Sequence, residues 1–408
     1  MKILLVHNCY GSSAPSGENR VFEAEKTLLK KHGHEVATYT RHSDEIRTGG
    51  AIRRIWGKIK GALCTVGNPF AAHEVAKVCR AFRPDIVHFH NTFPLISPLA
   101  IRAAHRSGAK VVMTLHNYRT VCAAGVPTRN GKVCTECFRR SAHSAQGKKG
   151  NLSVWPAIRH RCYRGSLFAT LPLALNIRLY RKSWAKWVDR FVVLSEFQKT
   201  VMEGCGFPAE KISVKGNFVP AGRAGGRVDK KEQILYVGRL NDEKGIGTLL
   251  RAWWMLAGQA KETFPQKLVL VGDGERRDEC ERLSEGLPVE FAGQKPHEEV
   301  VRLMAESKAV VLPSECWETF GLTVVEGMRA GTPPVVSNLG ALPDIVSSDC
   351  GEVFEAGNAE SLAAAIRGLL SRQDYDAMCT AARHEAEARY SEDANYGRLM
   401  EIYEAVRK

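Results

Sequence analysis

The stretch from Glu315 to Ser337, ECWETFGLTVVEGMRAGTPPVVS, holds two carboxylates, Glu318 and Glu326, with seven residues between them. Those seven residues are mostly apolar, and an unpaired carboxylate in apolar surroundings is costly, so both acids need partners. Glu318 precedes the turn Thr319-Phe320-Gly321-Leu322, whose backbone N–H groups are placed to meet hydroxyls or phosphate oxygens of a ligand. A helix beginning near Thr323 puts Glu326 about one turn in, where a carboxylate suits a vicinal diol such as a ribose. Glu318 suits the hydroxyls of a polar ligand. Further upstream, YVGRLNDEKGIGTLL ends a strand pattern and sets Arg239, after Gly238, five residues before Lys244, close to a helix start. Two cations in that position suit a diphosphate, although the same spacing also fits surface charge. VGDGE, with Gly272, Asp273 and Gly274, ends the next strand in a tight turn that permits close backbone approach.

The first half has its own candidates. HNCYGSSAPSGENRV is a Gly- and Ser-rich turn, including Gly17, that opens a helix and presents N–H groups to an anion. It has no G-x-G-x-x-G spacing, so it gives little support to a dinucleotide, and an ordinary strand-to-helix loop fits as well. TLHNYR places His116 at a strand end, and VHFHN places His88, His90 and Asn91 at another. Histidines there serve either a ligand or a structural hydrogen bond. Cys122, Cys134, Cys137 and Cys162 combine a C-x2-C pair with two further thiols, which fits a structural zinc site pinning a polar insertion. Free thiols, a disulfide and an iron–sulfur centre stay open. The acids of DYD at Asp374–Asp376 read as surface charge in a helical region.

Two rounds of short apolar strands and helices would position these residues. KILLVHN, EVATYT, PDIVHFH, KVVMTLH and RFVVLS are strands of the first round; ILYVGRL, KLVLVGDG, VEFAGQ, AVVLPS and PPVVSN are those of the second. Buried strands alternating with helices indicate α/β architecture with parallel sheets. The Gly-, Pro- and charge-rich stretch Asn217–Gln233 reads as the linker. The expected division is 1–219, with a Cys-bearing insertion at about 120–187, then 220–390, then a C-terminal helix at 391–408 that packs back on the first domain. Ligands of such sheets sit beyond the carboxyl ends of the strands, which makes the cleft between the domains the expected site.

Length and composition agree with this division. The chain has 408 residues, 44% of them hydrophobic and 25% charged, enough for two cores. No apolar run reaches the roughly 18 residues of a membrane span, and MKILLVH reads as a strand rather than a signal peptide. A cytoplasmic location is expected, with attachment to the inner face of the plasma membrane. The net charge of +14 is uneven: Met1–Thr200 holds 33 Lys and Arg against 11 Asp and Glu, and the remainder holds 25 against 33. A basic half favours anionic partners such as phospholipid headgroups, lipid diphosphates or nucleic acid. Arg139–Lys186 interleaves cations with Trp155, Phe168, Tyr180, Trp184 and Trp187, which fits an anionic membrane surface or a helix packed on its own domain with snorkelling cations.

VGRLNDEKG, LVGDGE and the Glu318–Glu326 segment, in that order, resemble retaining glycosyltransferases of sequence family four. SGENR resembles that family's Gly-rich loop, with Ser16-Gly17 replacing the usual Gly pair, and TLHNYR resembles its catalytic loop, with Asn117 where Asp is commoner. The resemblance covers nearly the whole chain. It implies the GT-B fold, two facing Rossmann-like domains, and transfer of a sugar from a nucleotide-diphosphate sugar to a glycan or lipid-diphosphate-linked acceptor in cell-surface polysaccharide synthesis, such as lipopolysaccharide or exopolysaccharide. Arg239 and Lys244 would neutralise the departing diphosphate and Glu326 would hold the nucleotide ribose. Glu318 would contact the transferred sugar, with N–H groups of Phe320, Gly321 and Leu322 assisting. Gly17 would admit donor phosphate or acceptor, and His116 would hydrogen-bond the donor sugar. No cofactor is required for such transfer. A nucleotide-sugar epimerase on the same fold is the alternative. Nucleic-acid binding lacks a recognition helix or aromatic sheet, so nucleic acid is not an expected partner.

Overall fold

The computed structural model describes residues 1–11, 16–138, 152–220, 228–258 and 264–408. Parts of three stretches singled out above lie outside them: the Gly/Ser-rich loop at 12–15, the start of the basic segment at 139–151, and the linker at 221–227. The chain forms two compact units. The first comprises Met1–Pro127, Thr135–Gly216 and Asn395–Lys408; the second comprises Thr128–Cys134 and Asn217–Ala394.

The first unit is built on a parallel sheet of β1 (Lys2–Cys9), β2 (Glu35–His42), β3 (Ile86–Asn91), β4 (Lys110–Thr114), β7 (Arg190–Val193) and β8 (Ile212–Val214), in the order β2-β1-β3-β4-β7-β8. Ile3, Leu4, Leu5 and Val6 of β1 are fully buried on both faces, as expected of a central parallel strand covered by helices. Ser16 caps the helix Gly17–Lys31 by accepting the Asn19 N–H, satisfying one of the donors a helix start leaves open. The C-terminal helix Glu392–Arg407 belongs to this core: Leu399, Ile402, Tyr403 and Val406 pack with Ile3, Leu5, Phe22 and Ile86. Two helices between β2 and β3, Ala51–Val66 and Pro69–Phe82, have no counterpart in the strand-and-helix pattern drawn from sequence.

The second unit repeats the design. Its strands are β9 (Gln233–Val237), β10 (Lys267–Val271), β11 (Val289–Gly293), β12 (Ala309–Leu312), β13 (Pro334–Ser337) and β14 (Glu352–Phe354), all parallel, in the order β11-β10-β9-β12-β13-β14. The chain runs outward from β9 to β10 and β11, then returns to place β12 on its other side. That reversal opens a crevice at the carboxyl ends of β9 and β12, the point where doubly wound sheets bind ligands. Trp253 and Tyr236 anchor the core on one face of the sheet. A short antiparallel hairpin, β5 (Thr128–Arg129) and β6 (Lys132–Val133), groups with this unit, and the Thr128 hydroxyl donates to Glu243 Oε1 at 2.7 Å.

Leu399 is fully buried in the first unit's core. Leu399→Ala should lower unfolding stability by about 2–5 kcal/mol in chemical denaturation. A loss below about 1 kcal/mol would show that the helix does not belong to the cooperative core.

Candidate active site

At the β9/β12 crevice the second unit brings Lys244 and Glu318 together. Lys244 ends a short 3-10 turn after β9, and Gly245 follows it in the left-handed region at φ 67°. A β-carbon on Gly245 would stand 1.8 Å from the Pro313 carbonyl oxygen, so glycine is required for the two loops to meet. Lys244 Nζ donates to Glu318 Oε1 at 2.6 Å, and the Ser314 hydroxyl donates to the same oxygen at 2.6 Å. Burial alone would raise the Glu318 carboxyl. The Lys244 ammonium and the two hydrogen bonds outweigh burial and hold it below the usual carboxylate range. Lys244 mirrors this: burial acts to lower it, and the Glu318 charge raises it above its ordinary value. The apolar run therefore contains a paired carboxylate, as its composition demands.

The other predicted residues of this unit lie close by in sequence but differ in setting. Arg239 is 65% exposed, with Nη2 3.4 Å from Glu243 Oε2. It is a charge open to solvent, while Lys244 is largely enclosed. Glu326 is buried in the helix Leu322–Arg329, with Oε1 3.9 Å from His297 Nε2; His297 is a neighbour that the sequence reading did not pick out. Gly321 ends the turn at that helix's N-terminus, while the Phe320 ring packs edge-on to Tyr390 at 5.4 Å and so belongs to the core. Gly272 and Gly274 are required by packing within this unit. A β-carbon at Gly272 would lie 1.9 Å from the Gly238 carbonyl oxygen, and one at Gly274 would lie 2.3 Å from the Leu240 carbonyl oxygen. The close approach is between the β9 and β10 loops themselves, joined by Leu240 N–H donating to the Asp273 carbonyl at 3.0 Å.

In the first unit His116 follows β4 and is buried. Its Nε2 lies 3.0 Å from His90 Nδ1, and the two rings stack. His90 Nε2 in turn lies 3.2 Å from Glu25 Oε1, the His88 Nδ1 lies 3.1 Å from that oxygen, and Lys215 Nζ lies 3.1 Å from Glu25 Oε2. His88 also hydrogen-bonds the Tyr403 hydroxyl at 2.7 Å and Thr114 Oγ1 at 2.8 Å. Burial acts to raise the Glu25 carboxyl, but Lys215 and the two histidines hold it well below its ordinary value. Burial, then the neighbouring His88, lowers His90 to about 4; burial, then His90 and His7, puts His116 well below its ordinary value. These imidazoles are neutral at physiological pH. With its proton on Nε2, the nitrogen that faces the carboxylate, His90 accepts at Nδ1 and His116 donates through Nε2–H; the reverse tautomers reverse the bond. Glu25 and Lys215 had no local signal, being 190 residues apart.

Asn117 also finds a partner. Its amide donates to Glu18 Oε1 at 2.7 Å. Burial raises the Glu18 carboxyl, and the Asn117 hydrogen bond partly offsets that. An Asp at position 117 would place a second carboxylate against Glu18, so the departure from the commoner family residue is matched by Glu18 of SGENR. Gly17 begins its helix on an open surface, and an added β-carbon would meet nothing within 4 Å. Neither packing nor backbone strain requires glycine there.

The zinc expectation does not fit this structure. Cys122, Cys134, Cys137 and Cys162 form no disulfide. Among the described residues, the one group of three potential ligands within 4.8 Å of one another is Glu25, His88 and His90, so the four sulfurs do not converge as a tetrahedral site requires. Cys137 and Cys162 pack instead against an apolar cluster of Ala123, Ala157, Leu173 and Ile177. Lys215 already occupies the second oxygen of Glu25, which opposes a cation at the histidine group. Asp374 of the DYD stretch pairs with Arg372 at 2.8 and 2.7 Å.

The description of Glycosyltransferase Family 4 matches residues 16–223, and that of glycosyl transferases group 1 matches residues 222–386. The chain belongs to glycosyltransferase family 4. It is 27% identical to the phosphatidyl-myo-inositol mannosyltransferase of Mycolicibacterium smegmatis, over 97% of this chain and 92% of that one. It is 32% identical to the sulfoquinovosyl transferase SQD2 of Arabidopsis thaliana, over 39% of this chain and 30% of that one. The chain spans 30–47% of the length of three curated relatives matched at 32–33% identity. In structure it resembles HepE of Anabaena, solved in complex with UDP, with a TM-score of 0.63 at 18% identity over 99% of this chain and 100% of that one. The fold is GT-B.

Two predictions come from this geometry. His7, His90 and His116 titrate below the ordinary histidine value of 6.5, the first two near 4. Below pH 6.5 the unfolded chain binds protons that the folded chain does not. Stability should therefore be full above pH 6.5 and fall as pH drops toward 4, by up to about 1.4 kcal/mol per pH unit for each histidine. His7→Gln, which keeps a donor for Asn19, should reduce the slope of denaturation midpoint against pH by one proton's worth; an unchanged slope would contradict the assignment. Gly17→Ala should leave the melting temperature within about 2 °C, because the methyl has room. Ligand affinity, read by titration calorimetry, should fall at least tenfold if backbone approach at this position matters.

Proposed function

We propose that the chain is a retaining hexosyltransferase. It moves a sugar from a nucleotide-diphosphate sugar to a glycan or lipid-linked acceptor in cell-surface polysaccharide synthesis, working at the inner face of the plasma membrane. The observation that carries the reading is the Lys244–Glu318–Ser314 group at the β9/β12 crevice, with Arg239 on the same loop. UDP in the HepE complex and the lipid acceptor in the name of the Mycolicibacterium smegmatis relative support a nucleotide-sugar donor and a lipid-linked acceptor for this chain. Among the described residues no helix is long and apolar enough to cross a membrane, so attachment would be through a surface.

In this reading Arg239 and Lys244 stabilise negative charge on the diphosphate as the glycosidic bond breaks. Lys244 is held in place by Glu318, whose second oxygen is directed at hydroxyls of the transferred sugar. Glu326 holds the nucleotide ribose, and the Gly321–Leu322 amides and Gly17 admit ligand backbone-close. His116, as the neutral Nε2–H tautomer, accepts through Nδ1 from a hydroxyl of the donor sugar. The leaving phosphate oxygen takes the acceptor proton on the same face, giving retention. Catalysis is then positioning and charge stabilisation.

The test is a panel of nucleotide sugars incubated with and without lipid-linked acceptors, with product anomers read by NMR. Lys244→Met and Glu318→Gln should each lower kcat by about 10²–10³-fold while the fold, read by circular dichroism, is kept. Full turnover in both variants would overturn the site. Release of an epimerised sugar from donor alone would favour the epimerase.

A further inference from the structure

Lys230 and Lys231 lead the chain into β9, and their side chains part. Lys231 is 60% exposed, and its Nζ lies 2.7 Å from Glu306 Oε2. Lys244, Lys267, Lys295 and Lys308 of the same unit likewise pair with glutamates. Lys230 turns inward. Among the described residues its one hydrogen bond is to the buried Thr332 hydroxyl at 2.6 Å, and that hydroxyl donates onward to the Met304 carbonyl, also at 2.6 Å. A neutral acceptor does not offset the cost of enclosing an ammonium. Burial accordingly lowers the Lys230 amine to about 8; the nearby Cys379 acts to raise it, and Arg383 adds to the lowering. At pH 7.5 about a quarter of such an amine is unprotonated, against about one part in a thousand at the ordinary lysine value.

Lys230 and Arg383 line one cavity of about 350 Å³, at the low end of small-molecule sites. The helix Tyr375–Tyr390 supplies Tyr375, Cys379 and Arg383 to it, and the small residues Ala330 and Gly331 leave the space open. Gly331 sits in the left-handed region at φ 72°, and a β-carbon there would stand 2.8 Å from Arg383 Nη2. Among the described residues that guanidinium's one hydrogen bond is from Nη2 to the Ala330 carbonyl at 3.5 Å. The cavity thus holds two cations, neither joined to a carboxylate among the described residues. Asp229 and Asp376 also line it, but both are exposed, where water and salt screen their charge. The combination is a nucleophilic amine beside a guanidinium that suits an oxyanion.

We propose that Lys230 is an acylation site served by a small acyl phosphate, whose phosphate sits on Arg383 and whose carbonyl carbon faces the Lys230 amine. The nitrogen lone pair forms the N–C bond, the C–O bond to phosphate breaks, and hydrogen phosphate leaves with that electron pair and one amine proton. The product amide carries no charge, so the modification removes the ammonium that the fold leaves without a carboxylate. Charge complementarity selects this class of donor, since a neutral acyl donor would leave Arg383 without an anion. The site shares no residue with the Lys244–Glu318 group and does not depend on the transferase reading.

Acetyl phosphate is the probe, incubated with the full chain, with each lysine read by peptide mass spectrometry. Lys230 should be acetylated at least tenfold faster than Lys231 and Lys244, both of which pair with glutamates. Its rate should rise with pH through a midpoint of about 8 and then level off; a rate still climbing steeply at pH 10 would contradict the enclosed amine. Inorganic phosphate should slow acetylation of Lys230 at least fivefold and leave Lys231 unchanged. Arg383→Met should slow transfer from acetyl phosphate at least tenfold more than transfer from the uncharged donor N-acetoxysuccinimide. Equal slowing with both donors would remove the phosphate from Arg383 and overturn the assignment. Should that variant not fold, the phosphate competition in the unaltered chain decides the same point. Acetylation of Lys230 no faster than of Lys231, or acetyl recovered on Cys379 in place of Lys230, would overturn the proposal. Phosphate binding at this cavity without acetylation would leave an anion site and refute the acylation.

Discussion

A carboxylate within an apolar loop cannot stay ionised without a cation, and Lys244 is the cation that Glu318 has. The pairing requires the loop after β9 and the loop after β12 to meet, which requires β9 and β12 to be neighbours. That adjacency comes from the return of the chain across the sheet after β11. Gly245, pressed against Pro313, and Ser314, bonded to the same carboxylate, exist to let these loops meet and to fix them. Removing one partner of such a pair would strand the other charge, so the two residues constrain each other beyond any net stability the pair contributes.

The first unit solves a related problem with more groups. Glu25 is fully enclosed, and Lys215, His88 and His90 share its two oxygens. The Lys215 ammonium also reaches Asn395 Oδ1 at 3.1 Å, and the Tyr403 hydroxyl reaches His88. The C-terminal helix thus supplies polar partners to the same network whose far end orients His116, as well as apolar side chains to the core. A buried network with this many mutual contacts restricts the motion of what it holds. Burial lowers His90 and His116 below the ordinary histidine value, so these two are neutral at physiological pH.

Much of this was legible in the sequence. Ten of the twelve strands of the two sheets stood out as short apolar runs, because a parallel strand buried on both faces admits little else, whereas the three-residue β8 and β14 did not. That Arg239 and Lys244 follow β9 and that Glu326 lies inside a helix were legible, because position relative to a neighbouring strand or helix is set by local spacing. The helix Ala51–Val66 was not, because its buried stripe is glycine and its apolar stripe faces out, the reverse of the usual pattern. The four cysteines illustrate the opposite error: C-x2-C spacing suggests convergence, but thiols can also serve as small apolar side chains, and Cys137 and Cys162 pack that way.

The sequence by itself determined the α/β class, the two rounds of strands and the charged residues that end them, since local periodicity and strand-end chemistry are written residue by residue. Tertiary structure decided which charges pair, which histidines are enclosed together, and what Gly272 and Gly274 accommodate. Those outcomes depend on contacts between residues such as Glu25 and Lys215, far apart in the chain, and desolvation acts only once the fold has brought them together.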